Sequence, residues 1–369
     1  MEAMDIVIDL QYGSTGKGLI VGFLAEEHKY DTVVTAWAPN AGHTYINRDG
    51  RKFVHTHLAN GVVSPYLRQI LIGPGSLINP AQLLEEIRQC RDLLEDRVRI
   101  AIHPHAAVVT DRHIAEESGP MTKIGSTKKG VGAAMIQRIR RDPDDLNVAS
   151  DSLELAPFVV TTERYTRMMD EASNVLIEGA QGFGLSMYHG FYPYTTSRDV
   201  SVWQILADCG VPRSKAIEMR TRVIGTARTY PIRVANRYDE KGTQVGYSGP
   251  VYEDQCEITF ESIGQQVELT TVTKLPRRIF TFSGKQITDA IRYNKSDVVF
   301  LNFLNYVKKE RELIDIVNAI EMAGGRVSYV ATGPTANDVH VIDSGRQSGN
   351  WRRSERLDRI VDVWRKHCG

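Results

Sequence analysis

The chain has little cysteine and no surplus of either charge. Its four cysteines, Cys90, Cys209, Cys256 and Cys368, are scattered through 369 residues without a CxxC pair. That argues against a disulfide framework or a thiolate zinc site and fits a reducing compartment. Lys plus Arg number 45 and Asp plus Glu number 45, a balance that excludes a generally basic nucleic-acid coat or an acidic tail protein. No apolar run approaches the roughly 20 residues of a membrane span. The opening MEAMDIVIDLQYG lacks the basic-then-apolar order of a secretory leader. Internal repeats and low-complexity segments are also missing. A cytoplasmic protein with no nucleic-acid and no membrane partner is expected. With 42% hydrophobic and 24% charged residues, the chain has the composition of an ordinary folded protein.

What is present is an alternation of short apolar runs with amphipathic segments. Asp5 to Leu10 reads as a buried strand entering a glycine-rich turn. Asp31 to Trp37, Gln69 to Ile72 and Val98 to Ile102 read as further strands. Asn79-Pro80 has the form of an N-cap and first helical residue, with Leu83, Ile87, Cys90 and Leu94 following at helical spacing. Later, Thr162 to Ser173, Lys285 to Arg292 and Arg311 to Met322 are helical in pattern. They lead to strands at Val175 to Glu178, Val298 to Leu301 and Val327 to Val330. Leu357, Ile360, Val361 and Trp364 form one stripe of a C-terminal helix, the pattern of a docking face. This pattern predicts an α/β fold, a P-loop-like and mostly parallel sheet covered by helices. Asp111 to Asn147 and Tyr230 to Arg278 break the rhythm and predict loop and small-sheet excursions. No linker divides the chain, so residues 1–369 are expected to form a single catalytic domain.

Gly13-Ser14-Thr15-Gly16-Lys17-Gly18 follows the first strand and precedes the apolar run Leu19 to Leu24. Glycines let backbone N–H groups approach phosphate oxygens, and a helix N-terminus adds partial positive charge. The segment departs from GxxxxGK[ST]: Gln11 holds the first glycine position and Gly18 follows Lys17. A tight strand-to-helix turn is the plainer alternative. Asn40-Ala41-Gly42-His43-Thr44 follows the second strand, and loops at the C-terminal ends of parallel strands share one crevice. His43 is therefore expected to face the same phosphate as Lys17.

Together these two segments resemble the GDEGKGK and NAGHT motifs of adenylosuccinate synthetases. The resemblance continues in order along the chain, through IGSTKKGVG (124–132), EGAQG (178–182), HGFYPYTTS (189–197), TKLPRR (273–278) and TGP (332–334). It implies a ligase that uses a nucleoside triphosphate, Mg2+, L-aspartate and a 6-oxopurine monophosphate. The purine O6 is phosphorylated first, and the aspartate amine then displaces that phosphate at C6. Carried over by position, Ser14, Lys17 and His43 are the catalytic residues within the loop Gly13 to Gly18. Ser14, Asn40, Ser126, Thr127, Gln181, Thr196 and Leu275 would hold the monophosphate, together with Arg141, which family members lend across a homodimer interface. Thr273 and Arg277 would grip aspartate. Gly16, Lys17, Gly18, Thr44, Asn305, Thr332, Gly333 and Pro334 would bind the triphosphate. Ser14 and the Gly42 carbonyl would face Mg2+.

Three departures alter the implied substrate. Ser14 stands where the family has Asp, leaving room near purine C2 for a 2-amino group. Leu275 replaces an Arg near the ribose 2′-hydroxyl, which points to a 2′-deoxynucleotide. In Asn302-Phe303-Leu304-Asn305, Asn305 replaces the Asp that reads guanine, and an amide can pair with adenine. The expected donor is therefore ATP or dATP. All three fit the phage branch of the family, which acts on dGMP with aspartate and ATP to make the precursor of 2-aminoadenine. The alternative is an adenylosuccinate synthetase acting on IMP with GTP, which predicts carboxylates at positions 14 and 305. A GTP-binding switch is a further reading, since Asn294-Lys295-Ser296-Asp297 matches NKxD and Asp239 to Gly242 matches DxxG. The first precedes a strand instead of following it, and the second lies in a polar turn.

Overall fold

The computed structural model describes residues 2–94, 97–117, 123–124, 127–270, 274–343 and 352–369. Its centre is a nine-stranded sheet. The strands are β1 (Ala3–Asp9), β2 (Thr32–Thr35), β3 (Gln69–Ile72), β4 (Arg99–Ile102), β5 (Asn174–Glu178), β6 (Arg220–Arg228), β7 (Val298–Asn302), β8 (Arg326–Ala331) and β9 (Val339–Val341). Their spatial order is β9-β8-β7-β6-β1-β5-β2-β3-β4. Every pair is parallel except β8 with β9. β1 lies between β6 and β5, with Ala3 paired to Arg220 and to Asn174. The strand order therefore reverses around β1, and the carboxyl ends of β1, β5, β2, β6 and β7 converge on one edge.

The expected mostly parallel α/β sheet is present, and its strands are apolar because both faces are covered. Met4, Ile6 and Ile8 of β1 join one core cluster, while Val7 joins the other. β7 alternates likewise, Val299 and Leu301 against Val298 and Phe300. In β8 the register shifts by one residue opposite Val299 and Phe300. Val327 and Tyr329 consequently fall in different clusters, as a period of 2 interrupted by one extra residue requires.

Helix α1 (Lys17–Glu27) starts at Gly16, whose φ is 94°. Leu19, Ile20, Val21, Phe23 and Leu24 are all buried on it, so it is apolar around its circumference. Helix α2 (Pro80–Gln89) begins as its sequence predicts, Asn79 accepting from the Gln82 N–H at 3.1 Å with Pro80 following. The helical pattern running on to Leu94 is interrupted at Cys90, and Arg91–Leu94 forms a separate turn. The excursion at 111–147 contains more order than its polar sequence suggests. Helix α3 (Val131–Arg140) buries Val131, Ala133 and Ala134. Its exposed N–H groups are met by Glu117, which accepts from Gly130 (2.8 Å), Gly132 (2.5 Å) and Ala133 (3.3 Å).

Helices α4 (Thr162–Glu171), α5 (Gly284–Asn294), α6 (Glu310–Met322) and α7 (Arg353–His367) supply the other face. On α7 Ile360, Val361 and Trp364 are buried as the stripe predicts. The excursion at 230–278 supplies two of the strands of a small antiparallel sheet, Ile232–Arg233 and Glu257–Ile258, which pair with Arg278–Phe280. It also contains the hairpin of Arg237–Tyr238 with Gln244–Gly246. The DxxG match is the turn of that hairpin, with the Gly242 N–H donating to the Asp239 carbonyl. The NKxD match lies between α5 and β7, at the strand edge opposite the convergence described above.

Two buried histidines are expected to make the fold acid-sensitive. His55 and His57 are 1% and 2% exposed. His57 Nε2 accepts from the Asn79 N–H at 3.2 Å, a bond that protonation would destroy. Burial pushes the His57 imidazole down to about 3 and, with the neighbouring His43, that of His55 to about 4. The unfolded chain titrates near 6.5 and therefore binds more protons below that pH. The contribution of these sites is expected to be complete above 6.5 and to decline on acidification towards 4, by at most about 1.4 kcal/mol per pH unit per site. The urea midpoint is expected to fall steeply between pH 6.5 and 5, and less steeply in His57→Gln, which keeps an acceptor without a titrating ring. Parallel slopes for the two proteins would remove His57 from the cause.

Candidate active site

A cavity of about 420 Å³ opens where the strand ends converge. Gly13, Ser14, Thr15, Gly16, Lys17, Gly18, Asn40, Gly42, His43, Thr44, Thr127, Gln181, Thr196, Leu275 and Arg277 all line it. The sheet thus brings together residues spread over more than 260 positions. Asn305, Thr332, Gly333 and Pro334 do not line this cavity. They stand on the loops after β7 and β8, along the same sheet edge. Arg141 is exposed at the end of α3, its Nε donating to the Ile139 carbonyl at 3.2 Å, and it does not enter the cavity of its own chain. Ser126 and Thr273 lie outside the described residues.

The loop from Gly13 to Gly18 is shaped by positive φ angles at Gly13 (96°), Ser14 (57°) and Gly16 (94°). A side chain at Gly18 would begin 2.6 Å from the Thr44 carbonyl, so glycine there lets the second loop close against the start of α1. Ser14 points its exposed side of the turn into the cavity, and its carbonyl accepts from Arg228 Nη1 at 3.3 Å. Lys17 is 5% exposed. Its Nζ donates to the Gln181 carbonyl at 2.8 Å and pairs with Asp9 Oδ2 at 3.2 Å. Gln181 in turn donates through Nε2 to Asn40 Oδ1 at 3.1 Å. One chain of contacts therefore ties the loops after β1, β5 and β2.

His43 is held from behind. Its Nδ1 lies 2.6 Å from Glu178 Oε1, and the Trp37 ring packs at 4.1 Å. The remaining Glu178 oxygen accepts from the Asn60 N–H at 2.8 Å. Burial pushes the His43 imidazole below its ordinary value, against the opposing pull of Glu178. A neutral ring donating from Nδ1 keeps Nε2 as the nitrogen for a ligand.

Several residues behind the cavity wall carry no motif signal. Arg228 has a side chain that is 0% exposed, forks onto Glu268 and stacks on Phe303 with 3.8 Å to the ring centroid. Burial raises the Glu268 carboxyl, but Arg228, Tyr306 and Arg277 outweigh it and hold the group below its usual range. Asp9 ends an apolar strand, and a carboxylate in that position is the signal that could have marked it; Glu178 opens the EGAQG segment, but nothing local marks it as the partner of His43. Glu117 is the one carboxylate lining the cavity among the described residues, and it is occupied by the N–H groups of α3.

The sequence profile described as adenylosuccinate synthetase matches residues 6–156 and 146–345. The chain belongs to the adenylosuccinate synthetase family. It is 48% identical to the N6-succino-2-amino-2′-deoxyadenylate synthase of Acinetobacter phage SH-Ab 15497, over 94% of this chain and 95% of that protein. It is also 48% identical to the protein of the same name from Salmonella phage PMBT28, over 90% and 96%. Among solved structures it is similar to the cyanophage S-2L succinoaminodeoxyadenylate synthetase (PurZ), bound to dGMP and dATP as an energy donor. That similarity has a TM-score of 0.88 and 40% identity, covering 100% of this chain and 99% of the other. Among the described residues no helix is long and apolar enough to cross a membrane.

Proposed function

We propose that this chain is a ligase joining L-aspartate to C6 of dGMP, with ATP or dATP as phosphoryl donor. The product is N6-succino-2-amino-2′-deoxyadenylate, with ADP or dADP and phosphate. The observation that carries this reading is Ser14, a small neutral side chain lining the cavity where the family places a carboxylate. Leu275, half-buried on the same wall, offers no bond to a 2′-hydroxyl. The names of the phage relatives, and the dGMP and dATP held by the cyanophage structure, support it.

In this mechanism the triphosphate lies along the loop from Gly13 to Gly18, with Lys17 against the transferred group. The dGMP O6 attacks the terminal phosphorus, the bond to the leaving diphosphate breaks, and the N1 proton is lost. The aspartate amine then adds at C6, phosphate leaves and the amine gives up a proton. Positioning and charge neutralisation supply most of the rate. Glu178 lets His43 take up a proton when phosphate charge enters the cavity, and the imidazolium then faces the reacting oxygens. With Glu117 occupied, the acceptors available to the N1 proton are the Ser14 hydroxyl, solvent and the substrate phosphates.

The residues present fit Mg2+. Nothing lies within 4 Å of where a Gly42 side chain would begin, so its backbone is open. The Gly42 carbonyl and Ser14 hydroxyl are hard neutral oxygens, which Mg2+ takes beside phosphates and waters. Bound there, it would neutralise phosphate charge. Asn40, Thr127, Gln181 and Thr196 would hold dGMP, and Arg277 with Thr273 would grip aspartate. Asn305, Thr332, Gly333 and Pro334 would complete the adenine nucleotide site. Arg141, exposed and turned from its own cavity, fits a homodimer in which it reaches the partner's site. The chain would act as one catalytic domain in the cytoplasm, the host's if it is phage-encoded.

The test is phosphate release with dGMP, GMP, dIMP or IMP, each with aspartate and either ATP or GTP. The dGMP and ATP pair is expected to give the highest kcat/KM. A best rate with IMP and GTP, or no aspartate-dependent turnover of dGMP, would overturn the proposal.

A further inference from the structure

The family's loop carries two acidic residues in GDEGKGK, and this chain has hydroxyls, Ser14 and Thr15, at both positions. The structure shows a carboxylate reaching the loop from beneath. Asp9, the last residue of β1, has a side chain with no exposed surface. Its Oδ1 accepts from the Gln11 N–H at 2.8 Å and the Gly13 N–H at 3.2 Å. Its Oδ2 accepts from the Thr15 hydroxyl at 2.5 Å and from Lys17 Nζ at 3.2 Å. Thr15 is itself 2.5 Å from Thr226 Oγ1 on β6, whose hydroxyl also reaches the Ile8 carbonyl at 3.0 Å. Four donors from the loop and from α1 thus end on one buried carboxylate, braced by two strands.

Three physical consequences follow. A buried carboxylate is stable only when its lone pairs are filled and its charge is matched, and Lys17 supplies the match. The two backbone donors fix the turn that holds Gly13 and Ser14 at positive φ. Lys17, caught between Asp9 and the Gln181 carbonyl, loses the freedom of its four-carbon stem before any phosphate arrives. Asp9 does not line the cavity, so it acts through Lys17 and the loop.

We infer that Asp9 is a positioning residue for phosphoryl transfer, its buried carboxylate setting the place of Lys17 and the shape of the phosphate loop. It thereby takes over a charge that the family's loop carries within its own sequence. This rests on the ligase reading for the reaction, but not on the choice of purine.

The experiment compares wild type, Asp9→Asn and Thr15→Val as full-length proteins. Steady-state phosphate release gives kcat, and calorimetric titration with dGMP gives affinity and the number of competent sites. In Asp9→Asn the amide turns a donor towards Lys17 while still serving the backbone N–H groups. Its kcat is expected to fall by about 30-fold or more, as for a cation displaced by a fraction of an ångström. The dGMP affinity is expected to stay within threefold, with about one site per chain as in the wild type. Thr15→Val keeps the Asp9–Lys17 pair and is expected to lose roughly tenfold. The inference is overturned if Asp9→Asn keeps kcat within threefold, or if its loss equals its loss of dGMP-binding sites, as a merely structural role requires. Should Asp9→Asn fail to fold, an unchanged kcat in Thr15→Val overturns it instead. If wild type turns over a different monophosphate and not dGMP, the ligase reading on dGMP falls, and the same comparison on the active substrate still decides the role of Asp9.

Discussion

His43→Asn is expected to lower kcat by roughly three orders of magnitude, within the range removed when a positioned acid or base is lost. Asn is the informative replacement because its amide still serves the buried Glu178 carboxylate, which also holds the Asn60 N–H. The fold and the dGMP site should therefore persist, and titration with dGMP should give an affinity within threefold of wild type. The deficit should lie in kcat and not in KM, because an imidazolium facing the reacting oxygens matters most when charge moves between them. Glu178→Gln tests the same pair from the other side. It leaves His43 in place without the carboxylate that opposes the effect of burial, so its loss should be smaller and should deepen as pH rises, since the ring then holds a proton less firmly. A His43→Asn protein retaining more than a tenth of wild-type kcat would place the proton chemistry elsewhere.

Ser14→Asp should shift substrate choice more than it shifts fold. Ser14 already sits at φ 57°, a conformation that Asp tolerates better than most residues. Its side chain meets the cavity and not the core. A carboxylate there fills the space proposed for the purine 2-amino group and adds negative charge beside the phosphates. The ratio of kcat/KM for dGMP over dIMP is expected to fall at least tenfold, about 1.4 kcal/mol, which is within reach of one lost polar contact. The readout is a competition assay with both monophosphates at one aspartate and ATP concentration. An unchanged ratio would remove Ser14 from the choice between guanine and hypoxanthine.

The sheet was legible in the sequence because its strands are buried on both faces. IVI (6–8), ILI (70–72) and VVFL (298–301) are unbroken apolar runs, and each maps onto a strand of the sheet. Helix entries were legible where a side chain caps them, as Asn79-Pro80 does for α2. The order inside 111–147 was not legible, because α3 is capped by Glu117, thirteen residues before Gly130 and in no local motif. The loop residues of the cavity were legible because glycine and polar side chains are concentrated there, and the family resemblance ordered them. The residues behind them were not. Asp9 closes an apolar strand and looks in sequence like an ordinary strand end, and Glu178 opens EGAQG without any local sign that it meets His43.

By itself the sequence determined the mostly parallel α/β architecture and the glycine-rich turn after the first strand, and the family resemblance picked out the departures at Ser14, Leu275 and Asn305. The first two are properties of single segments, written in the periodicity of burial and in short-range turn chemistry. Only the tertiary structure decided which charges meet. Lys17 finds Asp9 beneath it and the carbonyl of Gln181 beside it, and His43 finds Glu178 across 135 residues of chain. Arg228 finds Glu268 across 40. Such pairs leave no period in the sequence, because a buried charge needs one partner at a few ångströms and the sheet can bring that partner from any strand end.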